Sequence, residues 1–303
     1  MQRPAKPFTP VRFRIQPPNI MKIGIIGYGF VGKALDNALH ESVDVIKVDP
    51  KLNSTIEDLK EFSPYATFVC LPTPMKDDGS QDISTVEEVF LKIKELNIPG
   101  LIILKSTVHP GNITKLEKIL YDFVYNPEFL REKHASEDFI NSNLIVFGGK
   151  KEPTKLLSKL YKKYTKCINQ DYVFTDIISA SLIKYTINSF LATKVIFFNE
   201  INSLFSASET SESWENFINF IARDKRIGNS HMAVPGHDGR FGFGGACLPK
   251  DSSAIIKYAK NLNIELGLIK NAINTNNHIR AKYNSMTNRE DEQNIKYKNI
   301  EEE

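Results

Sequence analysis

A glycine pattern, Gly27-Tyr28-Gly29-Phe30-Val31-Gly32, constrains the fold most, because it follows an apolar run and opens an amphipathic stretch. A strand, a glycine turn and a helix in this order are typical of dinucleotide-binding βαβ units, where a pyrophosphate lies on the helix N-terminus. Gly27 permits the tight turn, Gly29 lets the pyrophosphate approach, and Gly32 lets helix and strand pack closely. We therefore predict that these six residues bind a dinucleotide at the edge of a parallel sheet.

An acidic residue indicates which dinucleotide the site prefers. Asp49 ends the second predicted strand, at roughly the ~20-residue offset where a carboxylate binds a ribose 2′-hydroxyl. A carboxylate there repels a 2′-phosphate, so the sequence predicts NAD rather than NADP. The alternative is a glycine-rich turn in some other α/β fold.

Short β-rich runs alternate with amphipathic stretches over residues 21–172. The predicted strands are Lys22–Ile26, Val43–Val48, Ala66–Leu71, Leu101–Lys105, Phe123–Tyr125 and Leu144–Phe147. The predicted helices between them include Val31–His40, Ile83–Leu96 and Ile113–Leu120. This alternation predicts an α/β domain of the Rossmann type, with a parallel sheet covered by helices on both faces.

Residues 173–280 are predicted to form an all-α central domain that serves dimerisation. Asp176 resembles a helix N-cap and precedes a long stretch without Gly or Pro. The predicted helices are Ile177–Ser206, Glu212–Arg223, Ser252–Ala259 and Glu265–Lys282, with a loop at Gly228–Gly245. Residues 1–20 are expected to be a disordered extension, and residues 281–303 a polar tail that is frayed or disordered.

Charge and cysteine content exclude several classes of partner. The 303-residue chain has 39 basic and 36 acidic residues, which is too balanced to indicate a nucleic-acid or membrane-surface partner. No apolar run is long enough to span a bilayer. Cys70, Cys167 and Cys247 are far apart, which fits a reducing, cytoplasmic compartment. The histidines lack metal-ligand spacing, and we assign no metal.

Cys247 follows a glycine-rich turn in Gly242-Phe243-Gly244-Gly245-Ala246-Cys247-Leu248-Pro249-Lys250-Asp251. Glycines let a backbone approach a ligand closely. Lys250 can lower the pKa of the thiol and favour the reactive thiolate, and Asp251 can handle a proton or a water. Taken alone, this segment fits a catalytic thiol and a buried structural thiol about equally.

Three polar segments are further candidates for the site. Pro72-Thr73 and Ser106-Thr107 follow the third and fourth predicted strands, at the carboxyl edge where ligands of such folds bind. Asn126–Glu132 offers two carboxylates, Glu128 and Glu132, near a cation. The alternatives are a rigid turn for Pro72-Thr73, an ordinary strand end for Ser106-Thr107 and a solvated charged loop for Asn126–Glu132.

A fourth candidate lies on the long predicted helix. Lys184 and Asn188 are four residues apart, so they share one helical face with apolar neighbours. Burying polar groups unpaired is costly, so this pair needs partners. It can stabilise a developing alkoxide or oxyanion. The alternative is a polar strip on the surface.

Together these segments resemble the UDP-glucose/GDP-mannose dehydrogenase family over about residues 21–280. The motifs, in the family's order and spacing, are GYGFVG at 27–32, LPTP at 71–74, KSTV at 105–108, NPEFLRE at 126–132, LIKYTIN at 182–188, FFNEIN at 197–202, DKRIG at 224–228 and GFGGACLPKD at 242–251. The resemblance implies two successive NAD-dependent oxidations that convert a sugar C6 alcohol to a carboxylate, with UDP-glucose yielding UDP-glucuronate.

The resemblance also implies a role for each candidate residue. The catalytic set is Cys247 as nucleophile, Lys184 and Asn188 as oxyanion stabilisers, Asp251 and Thr107 to orient water, and Glu128 as acid and base. Further cofactor contacts are implied for Pro72, Thr73, Ser106, Glu132 and Lys250. Substrate contacts are implied for Lys184, Asn188, Phe129, Leu130, Phe243, Gly244 and Arg226. Arg226 would reach the neighbouring subunit's site in a homodimer built on the long helix.

Two departures from the family pattern shape the expectation. Family members continue into a second α/β domain that supplies much of the UDP site, and Ser181 replaces a usual acidic residue. We therefore expect a shortened form without the C-terminal UDP-binding domain, acting alone or with a separate UDP-binding chain. One alternative is a non-catalytic, dimeric NAD-binding module that partners a full-length dehydrogenase. Another is a two-electron hydroxyacid dehydrogenase, which leaves Cys247 unused.

Overall fold

A seven-stranded sheet forms the first half of the protein. The computed structural model describes residues 20–300. Its strands are β1 (Met21–Ile26), β2 (Val43–Val48), β3 (Ala66–Val69), β4 (Leu101–Leu104), β5 (Val124–Tyr125), β6 (Ile145–Gly148) and β7 (Tyr172–Thr175). The extension predicted at residues 1–20 lies outside the described residues except for Ile20, as does the end of the predicted tail, residues 301–303.

The sheet has the order β2-β1-β3-β4-β5-β6-β7. Strands β1 to β5 are parallel, which confirms the predicted Rossmann-type architecture. β6 runs antiparallel to β5, and β7 is parallel to β6. The sheet is therefore mixed at one edge, and it includes a strand, β7, that the sequence patterns do not predict.

Helices cover both faces of the sheet and form the second half of the described chain. They are α1 (Phe30–Ala38), α2 (Ile56–Phe62), α3 (Ser84–Leu96), α4 (Pro110–Ile119), α5 (Ala135–Ile140), α6 (Lys151–Tyr164), α7 (Ile177–Ala207), α8 (Trp214–Ile221), α9 (Leu248–Asn261), α10 (Gly267–Arg280) and α11 (Asn288–Glu292). The sequence patterns do not predict α2, α5 or α6. In α6 a stripe of Leu157, Leu160 and Tyr161 is buried while lysines dominate the rest of the helix.

The core lies on both faces of the sheet because the central strands are buried on both sides. Ile23 and Ile25 of β1 pack into one apolar cluster with Leu35 of α1, whereas Ile26 packs into a second cluster with Phe90 of α3. Alternation of side chains along a strand sends neighbouring residues to opposite faces. This two-sided burial is what a parallel sheet between helical layers requires.

The segment after α10 differs from the expected frayed or disordered tail. Residues 281–300 include the short helix α11 and pack against the body of the protein, and Glu290 and Ile295 are 0% and 3% exposed. The expectation is corrected for these residues, because Glu290 and Asn294 form hydrogen bonds with residues that are far away in sequence. Their place in the structure is beside the loop that carries Cys247.

Candidate active site

The glycine pattern lies at the carboxyl end of β1 and opens α1. Gly27 has a φ of +86°, and a Cβ there would lie 2.6 Å from the carbonyl oxygen of Cys70, so only glycine fits. A Cβ at Gly32 would lie 2.3 Å from the carbonyl oxygen of Gly27, because α1 packs directly on the turn. A Cβ at Gly29 would meet nothing within 4 Å, which leaves that backbone open to a ligand.

Asp49 lies beside this turn. Its Oδ2 accepts the Tyr28 N–H at 2.7 Å and its Oδ1 accepts the Lys51 N–H at 2.9 Å, so the carboxylate is held in place. Gly29 caps α1 without a side-chain hydrogen bond, which leaves the first N–H groups of the helix for an anion. These residues fit a dinucleotide whose pyrophosphate lies on α1 and whose ribose reaches Asp49.

The predicted strand-end residues tie neighbouring strands together at the same edge. Ser106 Oγ accepts the Leu71 N–H at 2.8 Å, and Thr73 Oγ1 donates to the Thr107 carbonyl oxygen at 2.8 Å. The Gln81 side chain donates to the same Thr107 oxygen at 2.7 Å. Both Thr73 and Thr107 are buried. The loops after β3 and β4 are therefore fixed relative to each other.

Lys184 of α7 finds its partner in Glu128. The Lys184 ammonium donates to the Glu128 carbonyl oxygen at 2.6 Å and to its Oε1 at 3.2 Å, and both side chains are at most 5% exposed. Burial disfavours the ammonium, but the neighbouring acidic groups, first of all Glu128, outweigh burial and raise the pKa of Lys184. The side chain therefore remains a cation, which suits an oxyanion stabiliser.

Asn188, one helical turn further along α7, finds its partner in Asp251 of α9. Asn188 Nδ2 donates to Asp251 Oδ2 at 2.6 Å, and the Lys250 ammonium donates to Asp251 Oδ1 at 2.5 Å. Asp251 and Lys250 are 1% and 9% exposed at their side chains. The polar face of α7 thus reaches two carboxylates that lie 56 and 63 residues away in sequence.

Cys247 is the N-cap residue of α9 and a half-buried free thiol. Burial and the charge of Glu128 raise the pKa of the thiol to about 11, and Asp251 acts in the same direction. Lys250 lowers the thiol pKa, as its position in the sequence suggests, and so does Lys184. Their effect is smaller, so the thiol is protonated at neutral pH. All four charged groups act on this one sulfur.

The remaining predicted residues differ in where they lie. The Phe129 ring centroid is 5.3 Å from the Lys184 ammonium, and the Leu130 N–H donates to Glu128 Oε2 at 2.6 Å. Glu132 lies 2.7 Å from Arg289 Nε. The Arg226 guanidinium pairs with Asp224, and the Arg226 side chain is 89% exposed. Contacts within its own chain therefore do not bring Arg226 to this cluster.

Several residues that build the site were not predicted from the sequence. They are Gln81 and Tyr185, which hydrogen-bond each other at 3.0 Å, and Asn199, Asn276 and Glu290, which accept N–H groups of the Cys247 loop. Tyr185 and Asn199 lie inside motifs quoted above, so a signal for them existed. The other three are single polar residues whose partners are distant in sequence, and no local pattern marks them.

A cavity of about 680 Å³ opens beside the Cys247 loop, where Phe243 and Pro249 form part of its wall. Five lysines and three acidic residues also line it: Lys257, Lys260, Lys270, Lys296, Lys298, Asp77, Asp78 and Glu265. Ligand cavities in proteins commonly measure about 300–1,000 Å³. The loop therefore borders a space of a size that suits a nucleotide.

The part of the chain that the structure describes offers neither a metal site nor a membrane span. Within residues 20–300, no three His, Cys, Asp or Glu side chains are grouped so as to hold a metal ion. No helix in that range is long and apolar enough to cross a bilayer. The buried charges near Cys247 are instead paired with one another, Lys184 with Glu128 and Lys250 with Asp251.

A sheet with a glycine turn, followed by a helical domain, defines a dinucleotide-binding protein of the dehydrogenase type. Residues 51–165 match the NAD-binding domain of the UDP-glucose/GDP-mannose dehydrogenase family, and residues 178–278 match the central domain of the same family. The two matches together span most of the chain. The chain belongs to the UDP-glucose/GDP-mannose dehydrogenase family.

Individual relatives agree with this assignment. The chain is 38% identical over 229 residues to a UDP-glucose 6-dehydrogenase of Rickettsia bellii, covering 73% of this chain and 50% of the relative. It is 33% identical over 225 residues to a UDP-glucose 6-dehydrogenase of Bacillus subtilis, covering 71% and 49%. The chain thus spans about half the length of the curated relatives it matches.

Solved structures show the same fold. A UDP-glucose dehydrogenase from the archaeon Pyrobaculum islandicum superposes with a TM-score of 0.71 at 27% identity, over 86% of this chain and 68% of that one. A 3-hydroxyisobutyrate dehydrogenase from Mycobacterium tuberculosis superposes with a TM-score of 0.61 at 14% identity. At that identity the second likeness shows the fold alone.

Proposed function

We propose that this chain is an NAD-dependent nucleotide-sugar 6-dehydrogenase that oxidises UDP-glucose to UDP-glucuronate in two steps. The observation that carries the proposal is the position of Cys247, at the start of α9 and under the influence of two buried ion pairs. A four-electron oxidation needs such a nucleophile, because an aldehyde has no second hydride to give until a group has added to its carbon.

The cofactor site suits this chemistry. NAD, when bound, accepts a hydride from the sugar C6 in each oxidation. The N-terminus of α1 at Gly29 would hold the pyrophosphate, and Asp49 would hold the ribose. Thr73 and Ser106, at the ends of β3 and β4, would flank the cofactor at the carboxyl edge of the sheet.

In the first oxidation the C6 hydroxyl must lose its proton as the hydride leaves. Glu128 is the candidate acceptor, directly or through a water, because its buried carboxylate lies beside Lys184. The Lys184 cation stabilises the alkoxide that develops as the proton departs. Asn188 shares that face of α7 and contributes a second hydrogen-bond donor.

In the second oxidation the Cys247 sulfur forms a bond with the aldehyde carbon. The thiol proton passes to a carboxylate, for which Glu128 and Asp251 are candidates, and the carbonyl oxygen becomes an oxyanion that Lys184 and Asn188 stabilise. Loss of the C6 hydride from this thiohemiacetal leaves a thioester. A water oriented by Asp251 and Thr107 attacks the thioester carbon, the carbon–sulfur bond breaks, and a carboxylate and the free thiol result.

A homodimer is the proposed assembly, and α7 supplies its surface. Leu182, Phe190, Phe197 and Leu204 are 39–64% exposed and follow one another at intervals of seven or eight residues. At about 100° per residue they lie on one stripe of the helix, away from the face of Lys184 and Asn188. A second copy of the same helix is the occupant that we propose for this stripe.

The proposal is tested by an NADH assay against a small panel of nucleotide sugars. We expect UDP-glucose to give two NADH per molecule, and alkylation of Cys247 or Cys247→Ala to abolish overall turnover. One NADH per substrate, with indifference to alkylation, would indicate a two-electron hydroxyacid dehydrogenase. NAD binding without NADH from any sugar, alone or in a lysate, would indicate a non-catalytic module.

A further inference from the structure

The chain after α10 returns to the loop that carries Cys247. There α11 begins with a capping box, in which Thr287 Oγ1 accepts the Glu290 N–H and Glu290 Oε2 accepts the Thr287 N–H at 2.7 Å. The same segment contacts the first domain, since Asn294 Nδ2 donates to the Met75 carbonyl oxygen at 2.9 Å. Residues 281–300 therefore touch both halves of the structure.

The Glu290 side chain is fully buried, and both of its carboxylate oxygens accept hydrogen bonds. Its Oε1 accepts the Gly245 N–H at 3.1 Å and the Tyr297 hydroxyl, in addition to the Thr287 bond at Oε2. Burial opposes ionisation of Glu290, but the hydrogen bonds from Thr287, Tyr297 and Gly245 outweigh it and lower its pKa. The group is thus a buried carboxylate whose charge is balanced by hydrogen-bond donors.

Glu290 meets the loop at two consecutive glycines, which have no side chains of their own to anchor them. Gly245 has a φ of +77°, and a Cβ there would meet nothing within 4 Å. At Gly244 a Cβ would lie 2.4 Å from Arg280 Nη2 and 2.6 Å from Glu290 Oε1, so the backbone already touches both side chains. The bond from Gly245 to Glu290 fixes the peptide two residues before the thiol.

Other side chains hold the earlier part of the loop, among them Arg280, whose Nη2 donates to the Gly242 carbonyl oxygen at 3.3 Å. Asn199 Oδ1 accepts the Gly242 N–H at 2.9 Å, and Asn276 Oδ1 accepts the Phe243 N–H at 2.6 Å. Among the side chains that accept an N–H group of the loop, Glu290 is nearest to Cys247 in sequence and is the charged one. A charge-assisted hydrogen bond is about twice as strong as a neutral one.

We propose that Glu290 is a positioning residue for Cys247, which holds the Gly244–Gly245 peptide so that the thiol stays beside the Lys184–Glu128 and Lys250–Asp251 pairs. Glu290 lies beyond residues 178–278, which match the family's central domain. The inference rests on the proposed function only for its effect on turnover. Its effect on the thiol needs neither cofactor nor substrate.

The test measures the pH dependence of iodoacetamide modification at each cysteine by peptide mass spectrometry. In the wild type the Cys247 rate should rise about tenfold per pH unit between pH 8 and 10, because the thiolate is the reactive form. Glu290→Ala should release the loop, shift the profile toward the ordinary thiol pKa near 8.5 and raise the rate at pH 8 at least tenfold. Glu290→Gln keeps one oxygen that can accept a hydrogen bond, so it should shift the pH profile of Cys247 modification less.

Glu292→Gln is the matched control, because Glu292 lies on α11 but its carboxylate pairs with Arg289 at the surface. Its Cys247 profile should follow the wild type. Cys70 and Cys167 are buried in the first domain and report global opening. A rise at all three cysteines, or wild-type profiles in both folded Glu290 variants, overturns the proposal. If Glu290→Ala does not fold, Glu290→Gln alone decides.

Turnover separates this inference from the proposed function. If the wild type produces NADH, Glu290→Ala should lower kcat about tenfold or more while the KM for NAD stays within about twofold, because the dinucleotide site is untouched. If the wild type produces no NADH but the Cys247 profile still shifts, the proposed function fails and the positioning role stands. If NADH forms and the Cys247 profile does not shift, the proposed function stands and the positioning role of Glu290 fails.

Discussion

Lys184 and Asn188 of α7 each have a buried partner that is far away in sequence. Lys184 pairs with Glu128, and Asn188 donates to Asp251. Buried charges are tolerated only when they are paired, and removing one partner leaves the other uncompensated. The residues proposed for catalysis therefore also contribute to folding, and an activity assay on a variant must be accompanied by a stability measurement.

Lys184→Met should lower the free energy of unfolding by about 3–5 kcal/mol, because it leaves Glu128 buried without its cation. The double variant Lys184→Met/Glu128→Gln should recover most of this loss, since neither side chain is then charged. Urea denaturation followed by circular dichroism measures both. Lys92→Met is the control, because its partner Glu57 is exposed, and pairs of exposed charges contribute little to stability. Equal losses for Lys184→Met and Lys92→Met would contradict the account.

Helix α4 begins with an unusual N-cap residue, His109. His109 Nδ1 accepts the Asn112 N–H at 3.4 Å, and the ring lies 5.6 Å from the Tyr258 ring of α9. Burial, with a smaller contribution from Lys115, lowers the pKa of His109 to about 4. The neutral ring is therefore the form that fits the cap, since a protonated Nδ1 cannot accept a hydrogen bond.

This cap predicts a loss of stability in acid. The unfolded chain binds the His109 proton near pH 6.5 and the folded chain only near pH 4. The contribution of neutral His109 to the free energy of unfolding is thus complete above about pH 6.5. It declines as the pH falls toward 4, by an amount on the order of 2 kcal/mol. The His109→Asn variant keeps an N-cap that does not titrate. Its free energy of unfolding, measured in urea at pH 7, 6, 5 and 4.5, should decline less steeply than that of the wild type. Parallel curves for both proteins would contradict this.

The exposed stripe of α7 predicts a dimer. Phe190→Asp combined with Phe197→Asp should convert a wild-type dimer to a monomer, because two charges would be buried in an apolar contact. Light scattering after size exclusion reports the mass. Leu91→Asp on α3 is the control, since Leu91 is also exposed, at 53%, but lies on the first domain. A monomeric wild type, or a variant that remains dimeric, would rule out this interface.

The elements whose patterns are local were predictable from the sequence. The bounds of β2 match the structure at both ends, and α7 begins at the predicted Ile177 because Asp176 caps it through Ile178 and Ser179 N–H groups. The direction of β6 was not predictable, since side-chain periodicity carries no information about strand direction. α6 was missed because lysines outnumber the apolar residues that face the sheet.

The candidate site joins two domains. Thr107 and Glu128 come from the loops after β4 and β5, Lys184 and Asn188 come from α7, and Cys247 comes from the start of α9. The motifs that carry these residues were recognisable one by one. The partners of Lys184 and Asn188 were not, because Glu128 and Asp251 lie 56 and 63 residues away from them in sequence and only the folded chain brings them together.

The segment after α10 illustrates the same limit. Its composition indicates a polar tail, yet Arg289 lies 2.7 Å from Glu132 and its guanidinium carbon is 5.6 Å from the Phe30 ring of the glycine turn. Glu290, its neighbour, holds the Cys247 loop. One short helix thus contacts both the predicted dinucleotide site and the loop that carries the proposed nucleophile, which no periodicity in its sequence reveals.

In the proposed reaction Cys247 forms a covalent thioester with the sugar during the second oxidation. Peptide mass spectrometry on Asp251→Asn, after acid quenching of a reaction with NAD and UDP-glucose, detects this thioester, because the change should slow its hydrolysis. We predict an added nucleotide-uronyl mass on the Cys247 peptide that is absent without NAD. NADH formation that persists in Cys247→Ala, at two per sugar and with no adduct in Asp251→Asn, would contradict the claim.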